Sequence, residues 1–447
     1  GAAIISKRAR SSRCCGRNHD SSPRMNRVHS RSPAHWIAAL LWRSYWGLPT
    51  AMVAVAVPII ALLLHADAKG AGNALAALGW PFDFGGSAAQ SLASSLVTLY
   101  GALVTLYFSI SLVVLTLAAG NLGVRLIDRW ISRRATRVTL GLLMVGLVWA
   151  VLALLSVDPD ASGARTARAT VVSLALLTVP LLCWLSYALH DLGRTIHVDT
   201  AIAALGADAA DEAQPYSRAC DSGPTLDWDT GEQVLARRSG YIETVDLNAM
   251  ARIAESCGGY FRAETGQGAF VMDGDTLGTA VRCDEAARQR IGSRFAIGSF
   301  RSAPQGAVFF VRLLVEIAAR ALSPAVNDFY TARACVDTLG PVMAAHGCLP
   351  QHEQWIAGES GDARLLIAPL RFAAIFDAPL AALRQSAAPY PEVASRLLDI
   401  YGRVLARPLD PVVRDMIIEH RAVLLAHACD KAETDTDRRA LIDAAQA

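Results

Sequence analysis

Residues 84–124 read FGGSAAQSLASSLVTLYGALVTLYFSISLVVLTLAAGNLGV, 41 residues without one charged side chain. A bilayer core needs about 20 apolar residues of helix, so this run is a membrane span with length to spare. Three further stretches qualify. SYWGLPTAMVAVAVPIIALLLHA lies between Arg43 and Asp67, with Trp42, Tyr45 and Trp46 as interfacial anchors. VTLGLLMVGLVWAVLALLSV lies between Arg137 and Asp158, and ATVVSLALLTVPLLCWLSYAL runs from Arg168 to His190. The composition agrees: 53% hydrophobic and 18% charged residues, with a mean hydropathy of +0.31, exclude an ordinary soluble globule.

The long run carries a second pattern. At 100° per residue, Ser91, Ser94, Thr98, Gly101, Thr105, Ser109, Leu112 and Thr116 fall in one narrow stripe, with Tyr100 and Tyr107 on the opposite side. Small and hydroxylated residues let helices approach closely and hydrogen-bond across the contact. The stripe therefore reads as a packing or oligomer interface, and in a ring of copies as the lining of a pore. At 1.5 Å per residue the helix exceeds the hydrocarbon thickness, so it either tilts or continues as an amphipathic extension through Arg125–Arg137. No Asp, Glu, Lys or Arg falls inside a span, which argues against an ion-coupled pump.

Arginine placement gives the orientation. Arg24, Arg27, Arg31 and Arg43 precede span 1, and Arg125, Arg129, Arg133, Arg134 and Arg137 separate spans 2 and 3. The other two loops hold only Lys69, Arg165 and Arg168. The positive-inside rule then puts both termini in the cytoplasm. Charge also divides the chain: residues 1–190 carry 17 Lys+Arg against 6 Asp+Glu, residues 191–447 carry 25 against 34, so two domains are expected. None of the nine cysteines has metal-ligand spacing: Cys14 and Cys15 are adjacent, Cys183 lies in an apolar run, and Cys220, Cys257, Cys283, Cys335, Cys348 and Cys429 read as singly buried thiols of a reducing compartment. No metal or cofactor is expected. The first apolar segment lacks a signal-peptide cleavage site. Met25 opens a segment that reads as a natural start, so residues 1–24 are left out of the fold reading.

The expected organisation is a disordered basic N-terminus (1–41), a four-span transmembrane domain (42–190), a juxtamembrane helix and linker (191–230), a small β module (231–300), a helical cytoplasmic domain (301–430) and a charged tail (431–447). His190 and His197, seven residues apart, share a face of the juxtamembrane helix but lack third and fourth metal ligands. From Arg237 the hydrophobic period becomes two: SGYIETVDL is a strand, NAMARIAESC a short helix, and GYFRAETGQGAFVMDGDTLGTAV two or three strands, turned at Gly266, Gly268 and Gly274. This predicts a small β-barrel-like module. Residues 307–322 return to helix, with Val308, Val311, Leu314, Val315, Ala318 and Leu322 as the apolar face. Further helices are expected over 364–386, 391–407 and 408–429. The fold class is thus an α-helical membrane domain joined to a cytoplasmic α+β domain.

Residues 319–340, ARALSPAVNDFYTARACVDTLG, are the densest polar segment. Glu316 and Arg320 form an i,i+4 pair. Ser323–Pro324 stops the first helix, Asn327 or Asp328 caps the next, and Gly340 ends it. The cluster Glu316, Arg320, Ser323, Pro324, Asn327 and Asp328 is either a structural joint or a ligand contact. A serine nucleophile needs a nearby base, and the sequence offers only His346 and His352, both in expected loops. The chain is therefore read as no enzyme.

ARALSPAVNDFYTA, with ARRSGYIETVDL, TGQGAFVMDGDTL, FSISLVVLTLA and HDLGRTIHV in the same order, resembles the DUF2254 family of predicted bacterial inner-membrane proteins from about Trp42 to Arg407. The resemblance implies four spans followed by a soluble domain, in the inner membrane. It departs from the family pattern at Phe329, where proline usually follows Asn-Asp, and at Gln305-Gly306, where Gln-Asp is usual. Two functions follow as expectations. One is a homo-oligomeric pore lined by span 2 (Ser94, Thr98, Thr105, Ser109 and Thr116) with a cytoplasmic assembly or gating domain. The alternative is a membrane-anchored sensor or scaffold that binds a ligand or partner. The expected partners are the lipid bilayer and further copies of the chain, with no nucleic acid.

Overall fold

The computed structural model describes residues 46–79, 84–122, 133–158, 167–194, 197–220, 222–367 and 371–446. Trp42, Tyr45, Arg125, Arg129, Arg165 and the proposed extension beyond Leu122 lie outside the described residues.

Four helices are long and apolar enough to cross a bilayer: α1 (Gly47–Ala68), α3 (Gly86–Leu122), α4 (Arg134–Ser156) and α5 (Arg168–Arg194). A short helix, α2 (Ala71–Ala76), follows α1. They form an up-down bundle. Arg133, just before α4, pairs with Asp191 near the end of α5 at 3.3 Å, and Val114 of α3 packs on Leu192. The starts of α1 and α4 and the ends of α3 and α5 thus share one face of the bundle.

At the opposite face, Asp67 does what a bilayer boundary requires of a helix end. Its carboxylate accepts hydrogen bonds from the backbone N–H of Ala169 (2.9 Å) and Thr170 (2.8 Å) and from the Thr170 hydroxyl (2.7 Å). The first donors of α5 have no partners in their own helix, and a buried carboxylate from α1 supplies them. Asp67 is therefore inside the last turn of α1 and buried. The charge-free reading of span 1 stops one turn short of the helix.

Small residues decide the packing between spans. Tyr100 of α3 is fully buried, and its ring lies where a Cβ on Gly146 of α4 would be. Its hydroxyl meets the Thr178 hydroxyl of α5 at 3.0 Å. Trp184 of α5 donates to the Thr139 hydroxyl of α4 at 3.0 Å. Such contacts replace the hydrophobic drive that lipid does not provide.

The part of the chain that follows the bundle begins with a break. α5 ends at Arg194, and a separate helix, α6 (Val198–Asp211), starts after His197, whose backbone is extended (φ −67°, ψ 111°). The expected continuous helix carrying His190 and His197 on one face is corrected accordingly. Then come β1 (Ala219–Cys220), β2 (Glu232–Leu235), β3 (Gly240–Val245), α7 (Leu247–Ser256), β4 (Tyr260–Ala263), β5 (Phe270–Val271), β6 (Thr276–Val281), α8 (Glu285–Gly292) and β7 (Phe295–Gly298). Asp246 and Asp284 cap α7 and α8 by accepting from Ala249 and Ala287. Gly268 and Gly274, with φ of +85° and +89°, make the turns expected of them.

The remaining elements are α9 (Ala307–Ala321), α10 (Phe329–Gly347), β8 (Gln354–Ala357), β9 (Ala363–Ile367), α11 (Arg371–Ala387), α12 (Pro391–Leu405), α13 (Pro411–Lys431) and α14 (Asp435–Gln446). Six strands form a sheet in the order β1-β8-β9-β4-β6-β2, antiparallel except for β4–β9, and three form a second sheet, β5-β3-β7. Neither sheet closes on itself, so the module is open rather than barrel-like. The reason is that β8 and β9 arrive from beyond α10 and extend the first sheet at β4. Residues 364–367, expected to be helical, are β9. Phe261, Leu277, Ile297, Ile356 and Leu365 bring strands of both sheets into one core.

A second core surrounds α9, which is buried on nearly all sides and not along one face alone: Phe309, Leu313 and Ile317 join the expected positions. α10 continues through Gly340 to Gly347. Gly340 is a contact point, where a Cβ would sit 3.0 Å from Ile400 of α12, so it serves close packing and not termination. The segment expected as a tail forms α14, with Leu441 buried in the helical core. Cys335 is buried, whereas Cys348 and Cys183 are exposed, so the thiols are not uniformly buried.

The Tyr100–Gly146 contact is testable in purified protein. Gly146→Ala should destabilise the bundle by roughly 1–3 kcal/mol, the usual penalty of overpacking. In the Tyr100→Ala background the same change should cost almost nothing. Thermal melts of the four proteins of this double-mutant cycle in detergent would show it.

Candidate functional site

The polar stripe of α3 faces outward. Ser91, Ser94, Thr98, Thr105, Ser109, Leu112 and Thr116 are exposed, while Tyr100 and Tyr107 are buried against the rest of the bundle. The threonine hydroxyls turn back on their own helix: Thr98 donates to the Ser94 carbonyl at 3.1 Å, Thr105 to Gly101 at 2.9 Å and Thr116 to Leu112 at 2.8 Å. This spends each hydroxyl proton and leaves oxygen lone pairs on the outer surface. The helix thus presents a ladder of acceptors, flanked by Leu106, Phe108 and Val113.

The second candidate cluster lies where α9 turns into α10. α9 ends at Ala321, and the chain folds tightly: Val326 and Asn327 donate to the Ser323 carbonyl at 3.0 and 2.9 Å, and Asp328 N–H donates to Ala321 at 2.8 Å. Asn327 has φ +52°, a left-handed conformation that asparagine tolerates better than most residues. Asp328 then caps α10, accepting from Thr331 N–H at 3.1 Å and from the Thr331 hydroxyl at 2.6 Å. Those Thr331 bonds hold the Asp328 carboxyl below the usual carboxylate range, against the opposing effect of burial. Of the two residues expected to cap, Asp328 does so and Asn327 makes the turn. Pro324 is exposed and Ser323 half-buried.

Arg320 reaches out of this cluster. Its Nη1 donates to the Gly120 carbonyl near the C-terminal end of α3 at 3.0 Å, where a cation complements the helix dipole. Glu316 sits one turn earlier on α9, half-buried. The sequence missed the Arg320–Gly120 contact because 200 residues separate its partners. Phe329, in the first turn of α10, packs edge-on against Tyr390 with ring centroids 5.3 Å apart, and Tyr390 donates to the Leu322 carbonyl at 2.8 Å. The first helical position needs no N–H of its own, so proline or phenylalanine serves equally as backbone there. Arg333 pairs with Glu392 at 2.6 Å.

The histidines stand apart from Ser323. His346 is buried in the last turn of α10, against the Ala209 carbonyl at 2.9 Å, and His352 is exposed. Both were expected in loops, and His346 is helical. Among the described residues, no group of three or more His, Cys, Asp or Glu could hold a metal ion.

Two hollows lie in the part of the chain that follows the bundle. A cavity of about 250 Å³ opens between the strands and α9, with Glu212, Glu264, Gln267, Gln305 and Val308 on its wall. Gln305 is 1% exposed, and its Oε1 has no hydrogen-bond partner among the described residues. Gly306 beside it has φ +61° and ψ −139°, a conformation that favours glycine and explains glycine at this position. A wider cleft of about 550 Å³ between α10 and α12 carries Arg396, Arg403 and Arg407. Arg396 is held there by Asp337 and Asp399, at 2.5 and 2.7 Å.

The chain matches the family model described as "Predicted membrane protein (DUF2254)" over residues 42–403, and it belongs to that family. It is similar to uncharacterised proteins of Mycobacterium bovis and Mycobacterium tuberculosis, each 27% identical over 420 residues that cover 89% of this chain and 78% of the relative. No solved structure matches it.

The cap makes a clear expectation. Asp328→Ala should cost about 1 kcal/mol of stability, and Asp328→Asn, which keeps an acceptor, much less. Because the folded-state pKa is depressed, the carboxylate stabilises above the unfolded pKa near 3.8 and loses its effect as pH falls through the folded value. The gap between wild type and Asp328→Ala should therefore close in strong acid, as read by melting curves against pH.

Proposed function

We propose that this DUF2254 membrane protein assembles through α3 into a homo-oligomer whose α3 helices line a conduit, with the soluble half as assembly and gating domain in the cytoplasm. The observation that carries this reading is the outward stripe of Ser94, Thr98, Thr105, Ser109 and Thr116 on a helix whose tyrosines are turned inward. Facing lipid, such a stripe gains nothing. Facing its own copies, it allows close approach and encloses oxygen acceptors. Acceptors with their protons already committed suit water or a cation better than an anion. Arg320, bonded to the end of α3, is the element through which the soluble half acts on that helix.

The cytoplasmic placement rests on arginine. Arg133 precedes α4 and Arg134 and Arg137 stand in its first turn, on the bundle face from which the rest of the chain departs, as the positive-inside rule expects for the inner membrane of a bacterium. The reading is non-catalytic: the densest polar cluster is occupied with ending one helix, starting the next and holding α3. The second reading, a membrane-anchored sensor or scaffold, is favoured by one observation, the cavity with the unpartnered Gln305 Oε1 on its wall.

Reconstituted liposomes separate these readings. The purified protein should run as an oligomer by native mass spectrometry and pass monovalent cations, and Thr105→Leu or Ser109→Leu should lower the flux at least tenfold. Val113→Leu, beside the stripe, should leave it unchanged. A protein that is monomeric, or whose flux ignores Thr105 and Ser109, would sink the conduit.

A further inference from the structure

α7 is capped by a cysteine that faces a second one. The Cys257 N–H donates to the Ile253 carbonyl at 3.3 Å, and the next two residues reverse the chain. Gly258 takes φ +67°, and the Gly259 N–H donates to the Ala254 carbonyl at 2.9 Å. Cys283 follows β6. Because β4 and β6 are antiparallel, with Tyr260 opposite Val281, Cys257 and Cys283 flank the same end of that strand pair. Their sulfurs are 3.1 Å apart.

The surroundings hold them there. A Cβ on Gly259 would lie 2.5 Å from the Cys283 Sγ, so glycine at that position leaves the sulfur its room. Arg282 adopts φ +58°, a left-handed conformation that few non-glycine residues take, and turns the chain immediately before Cys283. The β4–β6 ladder runs on from Tyr260 to Ala263 and fixes the strands beneath the pair. A disulfide has its sulfurs about 2.05 Å apart, so the two must close by about 1 Å, which small side-chain rotations cover.

Both thiols are free and half-buried. Ser256, Gly258, Arg282 and Asp284 around them are exposed, so a molecule as small as a peroxide reaches the pair. Burial, with the hydrogen bond to Cys257, pushes the Cys283 thiol up to about 12, and it keeps its proton at neutral pH. The thiolate is the nucleophile toward an oxidant. Cys257 is therefore the sulfur that reacts first, and Cys283 the one that closes the bond.

We propose that Cys257 and Cys283 are an oxidative modification site, joined as a disulfide when the protein meets a hydroperoxide. The Cys257 thiolate attacks one oxygen of hydrogen peroxide. The O–O bond breaks, Cys257 becomes a sulfenic acid, and the departing hydroxide takes up a proton as water. The Cys283 sulfur then attacks the Cys257 sulfur. The S–O bond breaks, and the hydroxyl leaves with the Cys283 proton as a second water. The two thiols lose two electrons and the peroxide gains them; a thiol reductant reverses the change.

The bond fixes the last turn of α7 to the end of β6. That turn also anchors β8 and β9: the Glu255 carboxylate accepts from the N–H groups of Glu359 and Ser360, between those strands, at 2.7 and 2.9 Å. Oxidation thus stiffens the seam at which β8 and β9, arriving from beyond α10, join the first sheet. The site is independent of whether α3 lines a conduit.

The test uses the full chain in detergent, reduced, freed of reductant and treated with hydrogen peroxide at neutral pH. Remaining thiols are blocked with N-ethylmaleimide, and peptides are mapped by mass spectrometry without reduction. The Cys257–Cys283 linked peptides are expected in most molecules, roughly tenfold above any other cysteine pairing, and dithiothreitol should remove them. In Cys283→Ser, dimedone should trap a sulfenic acid at Cys257; in Cys257→Ser, its label at Cys283 should be roughly fivefold weaker. Melting curves that match the wild type establish that both variants fold. The site is overturned if both thiols stay open to N-ethylmaleimide after peroxide, if the link forms only in denaturant-unfolded protein, or if either cysteine pairs mainly elsewhere. Equal dimedone labelling in the two variants would overturn the order of attack.

Discussion

One tyrosine ring seated on one glycine sets the geometry on which the other features depend. Lipid tails are as apolar as leucine, so a span is oriented by steric fit and hydrogen bonds, not by hydrophobicity. Tyr100 fills the notch at Gly146 and reaches Thr178 with its hydroxyl. Once that ring is inside, the helical period turns the serine and threonine face outward for the length of α3. The same rotation places the Gly120 carbonyl where Arg320 can reach it. Stripe orientation and domain attachment are then two consequences of one contact.

Helix ends are the second constraint, because the bilayer boundary and the protein interior both penalise unpaired backbone groups. This chain satisfies them with residues distant in sequence. Asp67 supplies the first turn of α5 from about a hundred residues away. Arg320 satisfies a carbonyl near the end of α3 from 200 residues away. Each such bond also fixes the relative position of two elements, so the caps hold the bundle to itself and to the α/β region that follows it.

These distances explain what the sequence made legible. The four spans, the placing of the tyrosines opposite the polar stripe, one face of the α9 core and a cap at Asn327 or Asp328 depend on local period and composition, and they could be read directly. The β8–β9 strands could not. QWIA and ARLLI are short; ARLLI pairs with β4, about 100 residues earlier in the chain, and QWIA with ARLLI and with β1. Their one signal is the turn-rich GESGD between them, with Gly361 at φ +92°. Gly340 was misread for a related reason: glycine that ends a helix and glycine that admits a neighbour look alike until Ile400 is in place. Asp67 looked like a loop residue because its partners lie in another span.

The polar density of ARALSPAVNDFYTA has the same origin. A helix that stops and restarts within seven residues must pair the carbonyls of the first and the amides of the second in very little chain. Serine, proline, asparagine and aspartate are the residues that do this, by accepting from the backbone, lacking a donor or adopting left-handed dihedrals. A catalytic site would use several of the same residue types, so composition alone does not separate the two. Partner geometry shows how the groups are used here. Both Asp328 oxygens are committed to Thr331, and the Arg320 guanidinium is aimed at a backbone carbonyl. Of the two histidines offered as a base, His346 is at the other end of α10. What the segment holds is a position: it ends α9, starts α10 and ties the pair to the end of α3 through Arg320.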